Sequence, residues 1–486
     1  MDAEAHSTDS RCGGAPDRSL ELDGVELRRM ALAALERIAH YVDTLEEQPA
    51  WDTHGSAELT RSLVAALPEQ GRALEPVLDE LFGRLVPMGF NTASPGYLAY
   101  VPGGGILHAA VADLIAAAVN RYVGVWVAAP GLARLEADVV RWFCDMLGYP
   151  RTAGGFLTTG GSLANFSGVV AARRSRLGER IGRGVLYVSQ ESHHSLAKAA
   201  MLAGLPEANV RRVPSDGLFR LRLDLLREAL ARDRAAGLQP FLVCGNAGTT
   251  NTGAIDDLVG LADLASAEGL WLHVDAAYGG FFMLTERGRA AMRGIERADS
   301  VTLDPHKGLF LPYGSGCLLA RDVEDLRRAH SVRADYLPAM QEDPEQVDFC
   351  EISPELSRGF RGLRVWLPLT LHGAEPFRCN LDEKLDLARW ATRELRAIEG
   401  IEIVAEPQLT TVAFRLVRPG LDDEALDALN EDLLARINAP RRVFLTSTRL
   451  AGRFVIRICV LSFRTHLDRL RECLALVRDS VAQPAR

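Results

Sequence analysis

Apolar residues at Leu27, Met30, Ala34, Ile38, Tyr41 and Leu45 recur at three- and four-residue spacing through VELRRMALAALERIAHYVDTLEE, a pattern that predicts an amphipathic helix. A second helical pattern surrounds LEPVLDELFGRLV and leads into the aromatic and glycine-bearing segment Phe90–Gly105. From about 155 to 320 the pattern changes to short apolar runs alternating with helices. GVLYV (184–188) precedes a helical stretch that begins near His193. FLVCG (241–245), the loop NAGTTNTGAIDD, the helical LVGLADLASAEG and the strand LWLHVD (270–275) make a βαβ unit. Such a unit implies a mostly parallel sheet covered by helices. Beyond about 371, long helices alternate with short strands such as TVAFRLV (411–417) and FVIRICVL (454–461).

The chain therefore divides into a disordered tail (1–20), an N-terminal helical segment (21–105), a large α/β domain (106–370) and a small C-terminal α+β domain (371–486). The helical segment is too small and too amphipathic for a core of its own. It is expected to pack on another surface, that of a second subunit.

Composition narrows the function. With 486 residues, 48% of them hydrophobic and 24% charged, the chain has the profile of an ordinary globular protein. A net charge of −9 without a Lys/Arg stripe argues against nucleic acid as a partner. The most apolar stretch, 105–132, is interrupted by Asp113, Asn120 and Arg121, so no membrane span is expected. The polar, acidic N-terminus does not read as a signal peptide. Eight cysteines stand singly with no CxxC, which suits free thiols in a reducing cytoplasm and no metal site.

Only three of the 55 basic residues are lysine: Lys198, Lys307 and Lys384. Arginine stays charged, whereas lysine shifts its pKa readily and can act as a neutral amine. Lys198 and Lys384 sit in charged or helical contexts and read as solvated surface lysines. Lys307, in DPHKGLFLPYGSG, enters an apolar run, where burial is expected to lower its pKa and leave a nucleophilic amine.

In parallel α/β sheets ligands bind beyond the carboxyl ends of strands. After GFLTT come Gly160, Gly161 and Ser162, which either cradle a phosphate at a helix N-terminus or simply make a tight turn. Asp275 ends LWLHVD and is either the partner of a cation or a buried cap or ion pair. His193 and His194 follow another strand, as a platform for a ring or as ordinary helix-start histidines. An aldehyde-bearing pyridine with a phosphate tail would satisfy all four signals together.

TTGGSLAN (158–165), SHHS (192–195), HVDAAYGG (273–280) and DPHKG (304–308) occur in an order and spacing that resemble the group II amino-acid decarboxylases. These are fold-type-I pyridoxal-phosphate enzymes, among them the aromatic L-amino-acid, glutamate, cysteine sulfinate and diaminobutyrate decarboxylases. The resemblance covers roughly 25 to 470. It implies a seven-stranded, mostly parallel sheet in the large domain and a homodimer with active sites at the interface. It implies that Lys307 carries pyridoxal 5'-phosphate as a Schiff base and that Asp275 pairs with the ring nitrogen. His193 stacks on one ring face and Ala277 packs on the other. Gly160, Gly161 and Ser162 hold the phosphate with His306 nearby, and Thr250 faces the cofactor. Arg457 becomes a candidate partner for a carboxylate. Gly308 and Leu163 depart from the usual family pattern, where a bulky and an acidic residue respectively are common.

Decarboxylation of an L-amino acid to its amine is the expected reaction. The segment 93–105 aligns with the family's substrate-lining stretch and brings Tyr97, Tyr100 and Gly103 without an arginine, which favours an aromatic substrate over an acidic or diamino acid. Family decarboxylases carry a loop tyrosine ahead of an arginine anchor, and relatives with phenylalanine there make an aldehyde in an oxygen-dependent reaction. Counting back from SRGFRGLR (357–364) puts Phe349 at that place, with Tyr336 as the competing proton source. Two rival readings are a catalytically dead relative, opposed by intact Lys307, Asp275 and His193, and a dinucleotide-dependent oxidoreductase, opposed by the missing GxGxxG.

Overall fold

The computed structural model describes residues 20–332, 343 and 345–483. By internal packing these fall into two units, one of residues up to 45 together with 54–89, the other of 46–53 together with 90 onward.

In the smaller unit the expected first helix spans Gly24–Asp43, started by Asp23, whose carboxylate accepts the backbone N–H groups of Val25 and Glu26. None of its residues is buried, and Leu27, Leu32, Leu35 and Ile38 are all exposed. The second expected helix covers Leu74–Glu80 and continues as a π-helical turn over Leu81–Leu85. Arg29–Glu75 and Arg37–Asp79 ion pairs join the two helices.

The larger unit holds the seven-stranded sheet. Its strands are β1 (Gly154–Thr158), β2 (Gly184–Ser189), β3 (Val210–Val213), β4 (Gln239–Asn246), β5 (Trp271–Asp275), β6 (Ser300–Leu303) and β7 (Gly316–Ala320). Their spatial order is β1-β7-β6-β5-β4-β2-β3. β7 pairs antiparallel with both β1 and β6, and every other pairing is parallel. Every residue of β2, β5, β6 and β7 is buried, as continuous apolar strands between two helical layers require. All strands but β7 therefore leave their carboxyl ends at one edge.

The smaller C-terminal domain packs the helices Glu375–Arg396, Asp423–Asn438 and Leu467–Ala482 with an antiparallel sheet. Its strands β8 (Ile401–Ala405), β9 (Thr411–Leu416), β10 (Thr446–Leu450) and β11 (Arg453–Cys459) lie in the order β8-β9-β11-β10. Leu395, Phe414, Leu433, Ile456 and Leu470 are among its core.

Two expectations are corrected here. The segment 90–105, assigned with the N-terminal helices, belongs to the larger unit. Its backbone is tied there by Leu98 N–H to the Phe444 carbonyl (3.1 Å) and by Thr465 Oγ1 to the Pro95 carbonyl (2.7 Å). Lys384 is not a solvated lysine. Its side chain is 0% exposed, and Nζ donates to Glu383 (2.7 Å) and to the Thr465 carbonyl (2.7 Å), so it clamps the loop that in turn holds Pro95. Lys198 is exposed, as expected. The proposed tail lies almost wholly outside the described residues. Among those residues no helix is long and apolar enough to cross a membrane.

Candidate active site

The carboxyl edge of the sheet encloses a cavity of ≈ 310 Å³. The turn after β1 contributes Gly160, Gly161 and Ser162, the loop after β2 contributes His193, and the loop after β4 contributes Thr250. Asp275 at the end of β5, Ala277 beyond it, and His306 and Lys307 after β6 complete the wall. All nine residues expected to bind the cofactor thus line one space, although in sequence they are spread from Gly160 to Lys307. The loops meet because β1, β2, β4, β5 and β6 run the same way.

Lys307 differs from the expectation in its charge state. Burial does push its pKa down, but the Asp304 carboxylate, 2.9 Å from Nζ, and Asp275 together outweigh burial, so the net shift is upward. Its ammonium form is held until a carbonyl group takes its place. Burial lowers the pKa of His193 and of His306, in each case partly offset by a carboxylate, Asp275 for the first and Asp304 for the second. Both rings are therefore neutral near pH 7.

The donor set fits pyridoxal 5'-phosphate. The helix Gly161–Arg176 starts at Gly160 with no side-chain cap, so its first-turn N–H groups and the Ser162 hydroxyl are available to a phosphate. Asp304 Oδ1 is buried without a hydrogen-bond partner among the described residues, an acceptor still to be satisfied in this cavity. An aldehyde, a ring nitrogen and a phosphate each find a matching group: Lys307, Asp275 and the helix start. Gly308, one of the two departures from the family pattern, has a local cause, since a Cβ there would sit 2.7 Å from Phe281 Cβ.

The residues expected on the substrate side lie outside this cavity's lining. Tyr97 is 2% exposed and packs on Phe444, 5.9 Å between ring centres. Tyr100 is half exposed, with its ring 6.2 Å from that of Phe90. Gly103 comes nearest: a Cβ there would lie 1.9 Å from the His306 carbonyl oxygen, so only glycine lets this segment lie against the Lys307 turn. Arg457 is buried, and its guanidinium is engaged by backbone carbonyls, Asn251 (2.8 Å), Tyr100 (3.4 Å) and Thr250. In this structure it ties the loop after β4 to the 95–105 segment.

Phe349 requires a correction. It is 0% exposed and belongs to the core beside β1, with the Arg358 guanidinium 4.7 Å from its ring centre. Trp126 N–H donates to Asp348 Oδ1 (2.6 Å) and Cys350 N–H to the Gly124 carbonyl (3.0 Å), which pins the backbone on either side. Phe349 is a core residue and not the side chain of a loop at the cavity. The competing Tyr336 lies outside the described residues.

Several cavity residues were not singled out from sequence, among them Asp304, Tyr278 and Asn165. Asp304 pairs with Lys307, Tyr278 hydrogen-bonds Thr410 (2.7 Å) and Thr411 (3.1 Å), and Asn165 donates to Asp275 (2.9 Å). Each stands within a quoted motif. Their buried partners, not their spacing, reveal them.

A seven-stranded, mostly parallel sheet with these groups at its carboxyl edge and a small α+β domain behind it defines a fold-type-I pyridoxal-phosphate enzyme. The chain matches the pyridoxal-dependent decarboxylase conserved domain over residues 57–417, and it belongs to that family. It is 33% identical to an aromatic-L-amino-acid decarboxylase of Bacillus atrophaeus, over 95% of this chain and 96% of that one. It superposes on a crystal structure of Oryza sativa TDC with PLP and tryptamine with a TM-score of 0.91 and 28% identity, covering 96% of this chain and 99% of the other. A Rhodiola rosea 4-hydroxyphenylacetaldehyde synthase structure gives a TM-score of 0.89 and 26% identity, covering 96% and 100%. The protein is therefore an enzyme that decarboxylates an amino acid with pyridoxal 5'-phosphate held on a lysine as a Schiff base. The oxidoreductase and non-enzymatic readings fall with these matches.

Proposed function

We propose that the chain converts an aromatic L-amino acid to its amine and carbon dioxide, with Lys307 as the cofactor's lysine. The observation that carries the substrate class is the close approach of Gly103 to the His306 carbonyl, which lays the end of the segment that carries Tyr97 and Tyr100 against the lysine turn. That segment carries no cation for an acidic side chain. The Bacillus atrophaeus relative, an aromatic-L-amino-acid decarboxylase, supports the same class.

Pyridoxal 5'-phosphate, when bound, supplies the sink for the electron pair of the Cα–carboxylate bond. Asp275 would hold a proton on the ring nitrogen, because a carboxylate beside that nitrogen favours its charged form. His193 and Ala277 would hold the cofactor ring between them, and the orientation they impose would govern which substrate bond breaks. Gly160, Gly161 and Ser162 anchor the phosphate, with His306 and Thr250 closing the sides. The carboxylate leaves as carbon dioxide and Cα gains one proton. With Phe349 in the core, the argument for an aldehyde product from that residue is gone, and amine formation is the reading supported. Tyr336 stands as the candidate donor of the Cα proton.

We further propose a homodimer, resident in the cytoplasm. The helix Leu107–Val119 exposes Leu107, Val111, Leu114, Ile115 and Val119, an apolar face that a monomer would leave in water. A panel of L-amino acids tests the function, with carbon dioxide, amine, oxygen uptake and peroxide measured together. Turnover of glutamate in preference to tyrosine, tryptophan or phenylalanine defeats the aromatic assignment, and stoichiometric peroxide defeats the amine. Sedimentation velocity reads the oligomer, and a monomer at micromolar concentration defeats the dimer.

A further inference from the structure

Beneath the cavity runs a buried polar chain whose protons can be counted one by one. Asp275 accepts the Ala277 N–H at Oδ1 (3.1 Å) and an Asn165 Nδ2–H at Oδ2 (2.9 Å). A carboxylate offers only acceptors, so the amide nitrogen of Asn165 must face it and the amide oxygen must face away. On that far side Oδ1 accepts from Thr302 Oγ1 (2.7 Å) and from His273 Nε2 (3.0 Å). The proton of His273 is thereby placed on Nε2. Its Nδ1 accepts from Ser300 Oγ (2.8 Å), which itself accepts the Trp271 Nε1–H (2.8 Å).

The second Asn165 N–H goes to Ser195 Oγ (2.9 Å). The Ser195 backbone N–H donates to His193 Nδ1 (3.3 Å), which makes that nitrogen an acceptor, so the Ser195 hydroxyl, 2.7 Å away and already accepting from Asn165, donates its proton to it. His193 must carry its proton on Nε2. Asn165 is 1% exposed and Ser195 3%, so water does not compete for these bonds.

We propose that Asn165 is a positioning residue that yokes Asp275 to His193, holding the carboxylate at the place of the cofactor's ring nitrogen and, through Ser195, fixing His193 as the Nε2–H tautomer that offers a donor to the cavity. The proposal rests on the assignment of Asp275 and His193 to the cofactor ring. An asparagine that merely fills a core position would satisfy its own four hydrogen-bonding sites without setting the tautomer of a ring two bonds away.

The test is a long-range proton–nitrogen correlation spectrum of the holoenzyme with nitrogen-labelled histidine, the His193 signals being assigned by their loss in His193→Gln. The wild type should show His193 bare at Nδ1 and protonated at Nε2. Ser195→Ala cuts one arm, so it should populate the Nδ1–H form while changing the dissociation constant of pyridoxal 5'-phosphate by less than about twofold. Asn165→Ala cuts both, so it should free the tautomer and also weaken cofactor binding by about tenfold or more, the share of one hydrogen bond to a charged group. An Nδ1–H tautomer in the wild type, or an unchanged tautomer in Ser195→Ala, overturns the proposal. If Asn165→Ala does not fold, Ser195→Ala alone decides. Unchanged cofactor affinity in Asp275→Asn would instead defeat the ring-nitrogen assignment and leave the tautomer result standing.

Discussion

Lys307 Nζ sits 2.9 Å from Asp304 Oδ2, three residues back on the same short turn, and that carboxylate's other oxygen is buried without a partner among the described residues. The pair places the amine at the cavity wall and keeps it protonated in the absence of a carbonyl partner. Neither other lysine can substitute: Lys198 is exposed on the helix Ser195–Leu202 and Lys384 is locked against Glu383 and Thr465. Borohydride reduction of the holoenzyme followed by peptide mapping should therefore find the cofactor on Lys307 alone. Lys307→Ala should lower kcat by about three orders of magnitude or more, as expected when the covalent carrier is removed. Label on Lys198 or Lys384 would refute this assignment.

Phe349 offers a test with opposite outcomes for two ideas. A loop residue that decides between amine and aldehyde would change the product when mutated. A core residue under Arg358 would change stability instead. Phe349→Tyr forces a hydroxyl into a site of 0% exposure and should cost about 1–3 kcal/mol in urea denaturation, with the product unaltered. The neighbouring Glu136–Arg358 ion pair is also fully buried, and Glu136 further accepts the Gly362 N–H (3.1 Å). Removing its charge in Glu136→Gln should cost about 3–5 kcal/mol, because the guanidinium is left buried without a counter-charge.

The cofactor residues were legible in sequence because each closes or follows a strand, and parallel strands deliver their carboxyl ends to one edge whatever the loops between them do. Asn165 was not, although it stands inside TTGGSLAN. Which face of a helix meets the sheet is decided only when β5 and β6 bring His273, Asp275 and Thr302 beneath it. Lys384 was misread for a related reason, since its main partner is a carbonyl 81 residues away that no local pattern contains. The pKa of Lys307 was expected to fall because burial was counted without Asp304, which sits in the same motif. Phe349 was placed by counting through a segment whose length carries no register, whereas the ties of 348 and 350 to 126 and 124 define its position.

Arg457 separates two roles by what moves. Its guanidinium is spent on the carbonyls of Asn251, Tyr100 and Thr250, a planar fork that a lysine cannot reproduce. Arg457→Lys should therefore lower stability by about 2 kcal/mol or more and raise KM together, as the 95–105 segment and the loop after β4 lose their common tie. A rise in KM with unchanged denaturation would show that the side chain serves the substrate carboxylate instead.

Acid sensitivity should centre on buried neutral histidines. His330 Nε2 is buried without a partner among the described residues, its ring lies 6.3 Å from that of Phe156, and burial lowers its pKa to about 4. Burial likewise takes His273 to about 4. For a base whose folded pKa lies below the unfolded value of roughly 6.5, the unfolded chain binds the proton first as pH falls. Stability is thus complete above about pH 6.5 and declines down to about pH 4, by up to roughly 3 kcal/mol for each such ring. His330→Phe keeps the ring shape, removes the proton uptake and relieves an unsatisfied nitrogen. Its urea midpoint should match or exceed the wild type at pH 7.5 and exceed it by a wider margin at pH 5. Equal margins at the two pH values would show that His330 titrates alike in the folded and unfolded chains.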